Sequence, residues 1–290
     1  FLGYAVQIKV DNPIWRNYGF TALEAILFAL LIYVYRYGVK SNTIYKMDQA
    51  IVIGIAGDSS TGKSTLLGDI RNLVSRNRLV ELEGDGDHKW ERGSQEWQEI
   101  THLNPKANFL HRQAEQIIAL KNHKHIDRTD YDHATGKFTA PQRVLSNDII
   151  VLSGLHAFYL PISRKAIDLK VYLEVEENLR RHWKICRDTR YRDHDISHTM
   201  NQIESRMEDA RKYIHPQKQF ADIVLEYFSD AQFTVGDPAG NPVVRLKIWL
   251  NANINLEAIL RFLDAKNAHY EHDYDEDLRS QWLVLPAGLD

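Results

Sequence analysis

Cysteine is almost missing, with Cys186 the only one in 290 residues. A single thiol excludes an internal disulfide and any metal cluster built on several cysteines, and it fits a reducing cytoplasmic compartment. A dominant charge is missing too. Lys and Arg number 36 against 39 Asp and Glu, a net charge of −3, so no global basic field points to nucleic acid as a partner. No pair of histidines has a convincing zinc spacing. His123 and His125 lie between lysines and read as exposed, and His215 before Pro216 reads as a helix end. Internal repeats and low-complexity tracts are also absent. What remains is 44% hydrophobic and 26% charged, an ordinary soluble composition. The length suits one large α/β domain with appendages, or two modest ones, with a core that needs no staples.

The longest apolar run is Gly19 to Tyr35, interrupted by Thr21 and Glu24. A spanning helix needs about 17–25 apolar residues, so the run sits at the lower limit. Arg16 precedes it, and Arg36 and Lys40 follow on the side expected to face the cytoplasm. Two readings are open: a membrane span, or a helix buried against a partner with Glu24 outward. The span is favoured, because a helix this uniformly apolar has no solvent face. The chain starts at Phe1 rather than Met, which suggests a start inside a longer polypeptide. The expected location is the cytoplasm, with attachment to the cytoplasmic membrane face through residues 19–35 as an open option. The oligomeric state is not readable.

Downstream, strands alternate with helices. Ala50 to Ala56 reads as a buried parallel strand and Lys63 to Arg76 as a helix. Arg78 to Leu82, Asp148 to Leu152, Asp168 to Val175, Asp222 to Phe228 and Val243 to Leu250 read as strands. Pro105 to Lys121, with Asn104 as its cap, reads as one helix. Glu176 to Arg190, Ile196 to Tyr213 and Asn255 to Ala265 read as helices. The alternation predicts a mostly parallel sheet with helices on both faces. Three segments are expected: residues 1–49 with the apolar helix and a linker, the domain proper over 50–266, and an acidic tail over 267–290. The stretch Asn267 to Asp277 reads as solvated, with a short strand allowed beyond it.

The strongest motif is GDSSTGKS, Gly57 to Ser64, the G-x-x-x-x-G-K-[ST] pattern between a predicted strand and a predicted helix. Gly57 and Gly62 let the backbone turn tightly, so that the N–H groups of Asp58, Ser59, Ser60 and Thr61 can point at phosphate oxygens. The helix N-terminus adds partial positive charge. Lys63 can reach the β- and γ-phosphates, the Ser64 hydroxyl can ligate Mg²⁺, and Thr65 closes the cradle. No N-K-x-D guanine signature is visible, so ATP is expected over GTP.

The second strand runs into EGDGDHKWER, residues 83–92. A carboxylate at that strand end can orient an acceptor hydroxyl and take its proton, and both Asp85 and Asp87 qualify by position. Either could also serve the metal. His88, Lys89 and Arg92 could hold an anionic group on the acceptor, although such a run also suits a solvated surface loop.

With these residues in view, the chain resembles the phosphoribulokinase and uridine kinase family of P-loop kinases, and within it the plant and cyanobacterial type of phosphoribulokinase. Beyond the P-loop, the similar segments are THLNPKAN (101–108), YDHATG (131–136), SGLHAFY (153–159), WKICRDTRYRDH (183–194) and YIHPQKQFADIVLE (213–226). The resemblance implies an ATP- and Mg²⁺-dependent kinase acting on a hydroxyl of a small metabolite: a sugar phosphate first, a nucleoside second. It implies Asp85 as the acceptor-activating aspartate, ahead of Asp87, and His88 and Arg92 as holders of the sugar phosphate. Tyr131 and His133 match an acceptor-contacting stretch, and Arg187 with Asp188 a pair tied to phosphoryl transfer. Arg190 and Arg192 fall where an arginine-bearing lid lies over the nucleotide, and arginines there offset transition-state charge.

Two positions depart from the family. Ser153 stands where the family carries a metal-assisting glutamate, and a hydroxyl is a poorer ligand for a hard cation. Gly86 and Asp87 replace an aspartate and a tyrosine. Two outcomes are open. Asp85 or Asp87 takes over the metal, or the protein is a nucleotide-binding module with little turnover, attached to a membrane protein.

Overall fold

The computed structural model describes residues 49–74, 78–132, 135–192, 195–237, 240, 242–276 and 278–286. The apolar run 19–35 and His133 lie outside the described residues, as does the side chain of Arg192. Among the described residues, no helix is long and apolar enough to cross a membrane.

Alternation of short β-branched runs with amphipathic helices produces one eight-stranded sheet. Its strands are β1 (Ile51–Gly57), β2 (Leu79–Glu83), β7 (Ile149–Gly154), β8 (Leu169–Val175), β9 (Ile223–Ser229), β10 (Val244–Asn251), β11 (Glu271–Tyr274) and β12 (Ser280–Leu285). They lie in the order β11-β12-β10-β9-β8-β1-β7-β2. Strands β2, β7, β1, β8 and β9 pair in parallel, and β10, β12 and β11 complete an antiparallel edge. The sheet is therefore mixed and mostly parallel, as expected. Two small ribbons, β3 (Ile126–Arg128) with β6 (Gln142–Val144) and β4 (Tyr131–Asp132) with β5 (Lys137–Phe138), stand apart from it.

Period-two alternation along each strand divides the core into two layers. On one face Ile53, Ile55, Val151, Val171 and Leu173 pack with Leu66, Leu67 and Ile70 of helix α1 (Lys63–Leu73). On the other, Val52, Ile150, Leu152 and Tyr172 pack with Ile117 and Leu120 of α2 (Leu110–Lys121) and with Phe158. Each such side chain contributes about 1.5–3 kcal/mol when fully buried. Further helices are α3 (Pro161–Ala166), α4 (Glu177–Arg192), α5 (Ile196–Asp209) and α6 (Glu257–Ala265), and a single helical turn spans Glu96–Glu99.

Three expectations change. The helix expected from Pro105 breaks into a 3₁₀ turn, Pro105–Ala107, and the separate α2. Asn104 does cap the turn, its side chain accepting from Lys106 N at 3.0 Å. Asn108 then turns extended, because its amide binds His88 and the carbonyls of His102 and Asn104. The helix expected to Tyr213 leaves α-geometry at Ala210 and passes through a wider turn, Ala210–Ile214, into a 3₁₀ segment containing Pro216. The stretch read as solvated supplies β11, since apolar Leu283 and Leu285 of β12 join the core and bring the preceding hairpin with them.

Candidate functional site

The site forms where β1, β7, β8 and β2 end, because a parallel sheet directs all its βα loops to one edge. The loop after β1 is shaped by its glycines. Gly57 has φ 153°, and a Cβ there would come 2.5 Å from Leu173 O. Gly62 has φ 92° and caps α1 from the left-handed region. Ser60 also sits at positive φ, 66°. Lys63 folds over the loop, donating from Nζ to the carbonyls of Gly57 at 2.9 Å and Asp58 at 2.6 Å. Burial pulls its ammonium down to about 8, the neighbouring Asp58 and Asp85 carboxylates pull it up, and Arg187 opposes them. Ser64 and Thr65 are exposed in the first turn of α1.

Asp58 is almost fully buried and spends its carboxylate within the protein. Its Oδ1 accepts from Ser59 N at 2.6 Å, and Oδ2 meets Arg180 Nη1 at 3.3 Å and His215 Nε2 at 3.5 Å. Burial pushes this acid up, but the His215 and Arg180 contacts outweigh it and hold the carboxyl at about 2. Arg180 opens α4 and His215 follows α5, so this buried charge ties the phosphate loop to the helical arm.

The loop after β2 separates two aspartates that position alone left equivalent and that the family resemblance ranked with Asp85 first. Asp85 is about one-third exposed, 32%, and close enough to Lys63 to raise its affinity for a proton. Its Oδ1 lies 3.6 Å from His88 Nε2. Asp87 is fully buried. Arg128 Nη1 reaches its two oxygens at 3.1 and 3.2 Å, and Gln113 Nε2 donates at 2.9 Å. That carboxylate is committed to a buried ion pair with Arg128.

His88 is also buried, at 4% exposure. Asn108 Nδ2 donates to His102 O at 3.0 Å and Asn104 O at 2.9 Å, which leaves Asn108 Oδ1 to accept from His88 Nδ1 at 2.7 Å. Nε2 is thereby aimed at Asp85, so His88 is placed behind the carboxylate rather than open to an acceptor phosphate. Trp97, His102 and Tyr131 ring it at centroid distances of 5.6–5.8 Å. Burial, then Arg206 and His88, push His102 well below the usual histidine range. Lys89 is exposed, its ammonium 5.5 Å from the Phe109 ring centre. Arg92 is exposed beside Tyr131, whose hydroxyl burial pushes up and Arg92 pulls down.

In α4, Asp188 is fully buried between Arg187 Nε at 2.8 Å and Lys184 Nζ at 2.9 Å. Burial raises this acid, but Arg187 and Lys184 pull it below the ordinary range. Burial pulls Lys184 down to about 8 against the pull of Asp188. Asp188 is thus an anchor for Arg187, and Arg187 shares the electrostatic neighbourhood of Lys63. Arg190 is exposed further along the helix. Sequence reasoning missed Arg180, Lys184 and Arg128. Lys184 carried a signal, its i,i+4 spacing to Asp188. Arg128 carried none, since it lies 41 residues from Asp87.

The fold and the cradle define a P-loop nucleotide-binding α/β protein. The sequence profile of the Phosphoribulokinase / Uridine kinase family matches residues 52–234, and the chain belongs to that family. It is 35% identical to a phosphoribulokinase of Synechocystis sp. over 62% of this chain and 54% of that protein. A chloroplastic phosphoribulokinase of Spinacia oleracea is 35% identical over 61% of this chain and 48% of its own. The chain thus spans about half the length of these curated relatives. A uridine kinase of Latilactobacillus sakei is 28% identical over 60% of this chain and 84% of its own. The solved phosphoribulokinase from Rhodobacter spheroides shares the fold, with TM-score 0.63 at 18% identity, covering 82% of this chain and 91% of that one.

Proposed function

We propose that the protein transfers the γ-phosphoryl group of ATP to a hydroxyl of a phosphorylated pentose resembling ribulose 5-phosphate. The observation that carries this reading is the placement of Asp85, a solvent-reaching carboxylate at a strand end within the electrostatic reach of Lys63. The two phosphoribulokinase relatives are more similar in sequence than the uridine kinase, which favours a sugar phosphate over a nucleoside.

In this reading the backbone of Gly57 to Thr65 cradles the triphosphate, and Lys63 swings from its own loop carbonyls to the β- and γ-oxygens. The acceptor oxygen attacks Pγ, the bond from Pγ to the bridging oxygen of ADP breaks, and Asp85 takes the hydroxyl proton. His88, held by Asn108, keeps Asp85 oriented. Arg187, braced by Asp188, faces the developing phosphoryl charge, with Arg190 further along the arm. Arg92 and Tyr131 form the acceptor side, and Lys89 stands at its rim. Residues 101–104 are tied to α5 by Thr101 Oγ1 donating to Asp209 Oδ2 at 2.6 Å, which links the acceptor side to the helical arm.

The residues fit Mg²⁺. The available donors are hard oxygens, with the exposed Ser64 hydroxyl at the start of α1 and the Asp85 carboxylate nearby. Among the described residues no group of three or more His, Cys, Asp or Glu forms a self-sufficient metal centre. That pattern suits an ion held mainly by phosphates and water, as is usual for Mg²⁺. Bound there, it would supply charge neutralisation for the triphosphate.

The test is ADP formation in the presence of pentose phosphates and nucleosides, with Asp85→Asn beside the natural chain. A pentose phosphate is expected to stimulate turnover. Asp85→Asn should keep nucleotide affinity and lose about 10²–10⁴-fold in transfer. Tight nucleotide binding without stimulation by any acceptor would replace this reading with that of a non-catalytic nucleotide module.

A further inference from the structure

We infer that His102 is a further acceptor-binding residue, whose imidazole hydrogen-bonds a hydroxyl of the acceptor beside the one that Asp85 activates. The inference deepens the kinase reading above and rests on it for the presence of an acceptor.

The backbone around His102 is held from several sides, while its ring nitrogen Nδ1 is unused. Thr101 Oγ1 donates to Asp209 Oδ2 of α5 at 2.6 Å, and it accepts from Leu103 N at 3.2 Å. Leu103 packs with Leu155, Ala210 and Ile214, and its carbonyl lies 2.8 Å from His156 Nε2. His102 O accepts from Asn108 Nδ2, so this main chain also supports the residue that holds His88. Among the described residues, His102 Nδ1 is shielded from solvent and has no hydrogen-bond partner. A shielded polar atom is costly to leave unpaired, so a rigidly held one calls for a partner from outside the chain.

The ring stands in the wall of the acceptor side. It stacks on Trp97, with centroids 5.6 Å apart and planes at 23°. Trp97 in turn lies nearly parallel to Tyr131, at 6.4 Å and 12°. His88 meets the His102 ring at 5.7 Å, and His88 Nε2 is 3.6 Å from Asp85 Oδ1. Aromatic walls with a few convergent polar groups are the usual lining of a small-molecule site. Here Trp97 and Tyr131 supply apolar faces for the carbon atoms of a sugar, and Asp85 and His102 supply polar contacts.

Charge decides which part of the acceptor lies there. Burial, then Arg206 and His88, keep the imidazole neutral near pH 7, so it offers one N–H and one lone pair. A hydroxyl both donates and accepts, and it satisfies Nδ1 in either tautomer. A phosphate oxygen only accepts, and the Asp85 carboxylate next to this wall repels a dianion. The ammonium of Lys184, one of the cations that His102 senses, is already engaged by Asp188 at 2.9 Å. The phosphorylated end is therefore left to the exposed Arg92 and Lys89 at the rim.

The experiment has a kinetic arm and a binding arm, both on the full chain. His102→Phe keeps an aromatic ring and removes the polar atoms. It should raise KM for ribulose 5-phosphate about 3–10-fold, the worth of one neutral hydrogen bond, and leave KM for ATP and the melting temperature in place. His102→Asn, which returns a polar atom near the place of Nδ1, should recover part of that loss. In the binding arm, chain labelled with ¹⁵N-histidine is saturated with a non-hydrolysable ATP analogue. Ribulose 5-phosphate should then move one imidazole nitrogen resonance that is missing from His102→Phe, and inorganic phosphate should not move it. An unchanged acceptor KM in His102→Phe, equal losses in the Phe and Asn variants, or a shift with inorganic phosphate alone overturns the inference, while turnover by the natural chain keeps the kinase reading. A ribulose 5-phosphate shift at His102 in a chain that phosphorylates no acceptor keeps the inference and removes the kinase reading instead.

Discussion

The loop after β1 and the loop after β2 lie at the same edge of the sheet and were written by different rules. In the phosphate loop every functional group is local: Gly57, Gly62, Lys63 and Ser64 lie within eight residues, and backbone amides do much of the binding. In the loop after β2 the side chains matter, and their roles come from distant partners. Asp85 and Asp87 are two residues apart, yet one reaches solvent near Lys63 and the other is fully buried on Arg128. A local motif can be read from spacing, whereas a buried charge is defined by what it meets.

That contrast can be broken most severely at Asp87. Asp87→Asn leaves Arg128 buried with half a partner, and removing one member of a buried pair costs about 3–5 kcal/mol. The expected result is a sharply lowered urea midpoint; a loss of metal affinity with stability intact would show that Asp87 belongs to the site after all. At Lys63 the expected loss is functional. Lys63→Ala should lower phosphoryl transfer about 10²–10³-fold with little change in melting temperature, since the side chain's own hydrogen bonds go only to its loop. A destabilised variant would mean that Lys63 is a structural residue like Asp87.

The smallest effect sharpens the one buried charge of the phosphate loop. Asp58 is held at about 2 against an ordinary 3.8, so its ionised form is favoured by folding. Its contribution is fully present above pH 3.8 and is lost as pH falls toward 2, a depression equivalent to about 2 kcal/mol. Asp58→Asn should therefore flatten the acid limb of stability in that window. An unchanged acid limb would mean that Arg180 and His215 do not stabilise the loop through this carboxylate.

Much of the fold was legible. The apolar runs of β1, β7 and β8 matched their strands within a residue or two, because a strand buried on both faces has no polar interruptions to disguise it. The break at Asn108 was not legible, since the residue that ends the helical reading is engaged by His88, twenty positions earlier. Strand β11 was read as part of a solvated stretch because its acidic residues gave no sign of the pairing that β12 supplies, although a short strand was allowed beyond it. Of the candidate site, Asp85 and Arg187 were named from the sequence, whereas the withdrawal of His88 behind Asp85 was not.

The sequence by itself determined the phosphate cradle, the parallel alternation of strands and helices, and the identity of the basic arm. These rest on backbone geometry and on periodicities that neighbouring residues define. Only the tertiary structure decided that Asp87 is buried, which arginine holds it in the core, and that His88 stands behind Asp85. The reason is physical. A carboxylate in water behaves the same wherever it occurs in the chain, and it acquires a role only when folding chooses its partners and how much water it keeps.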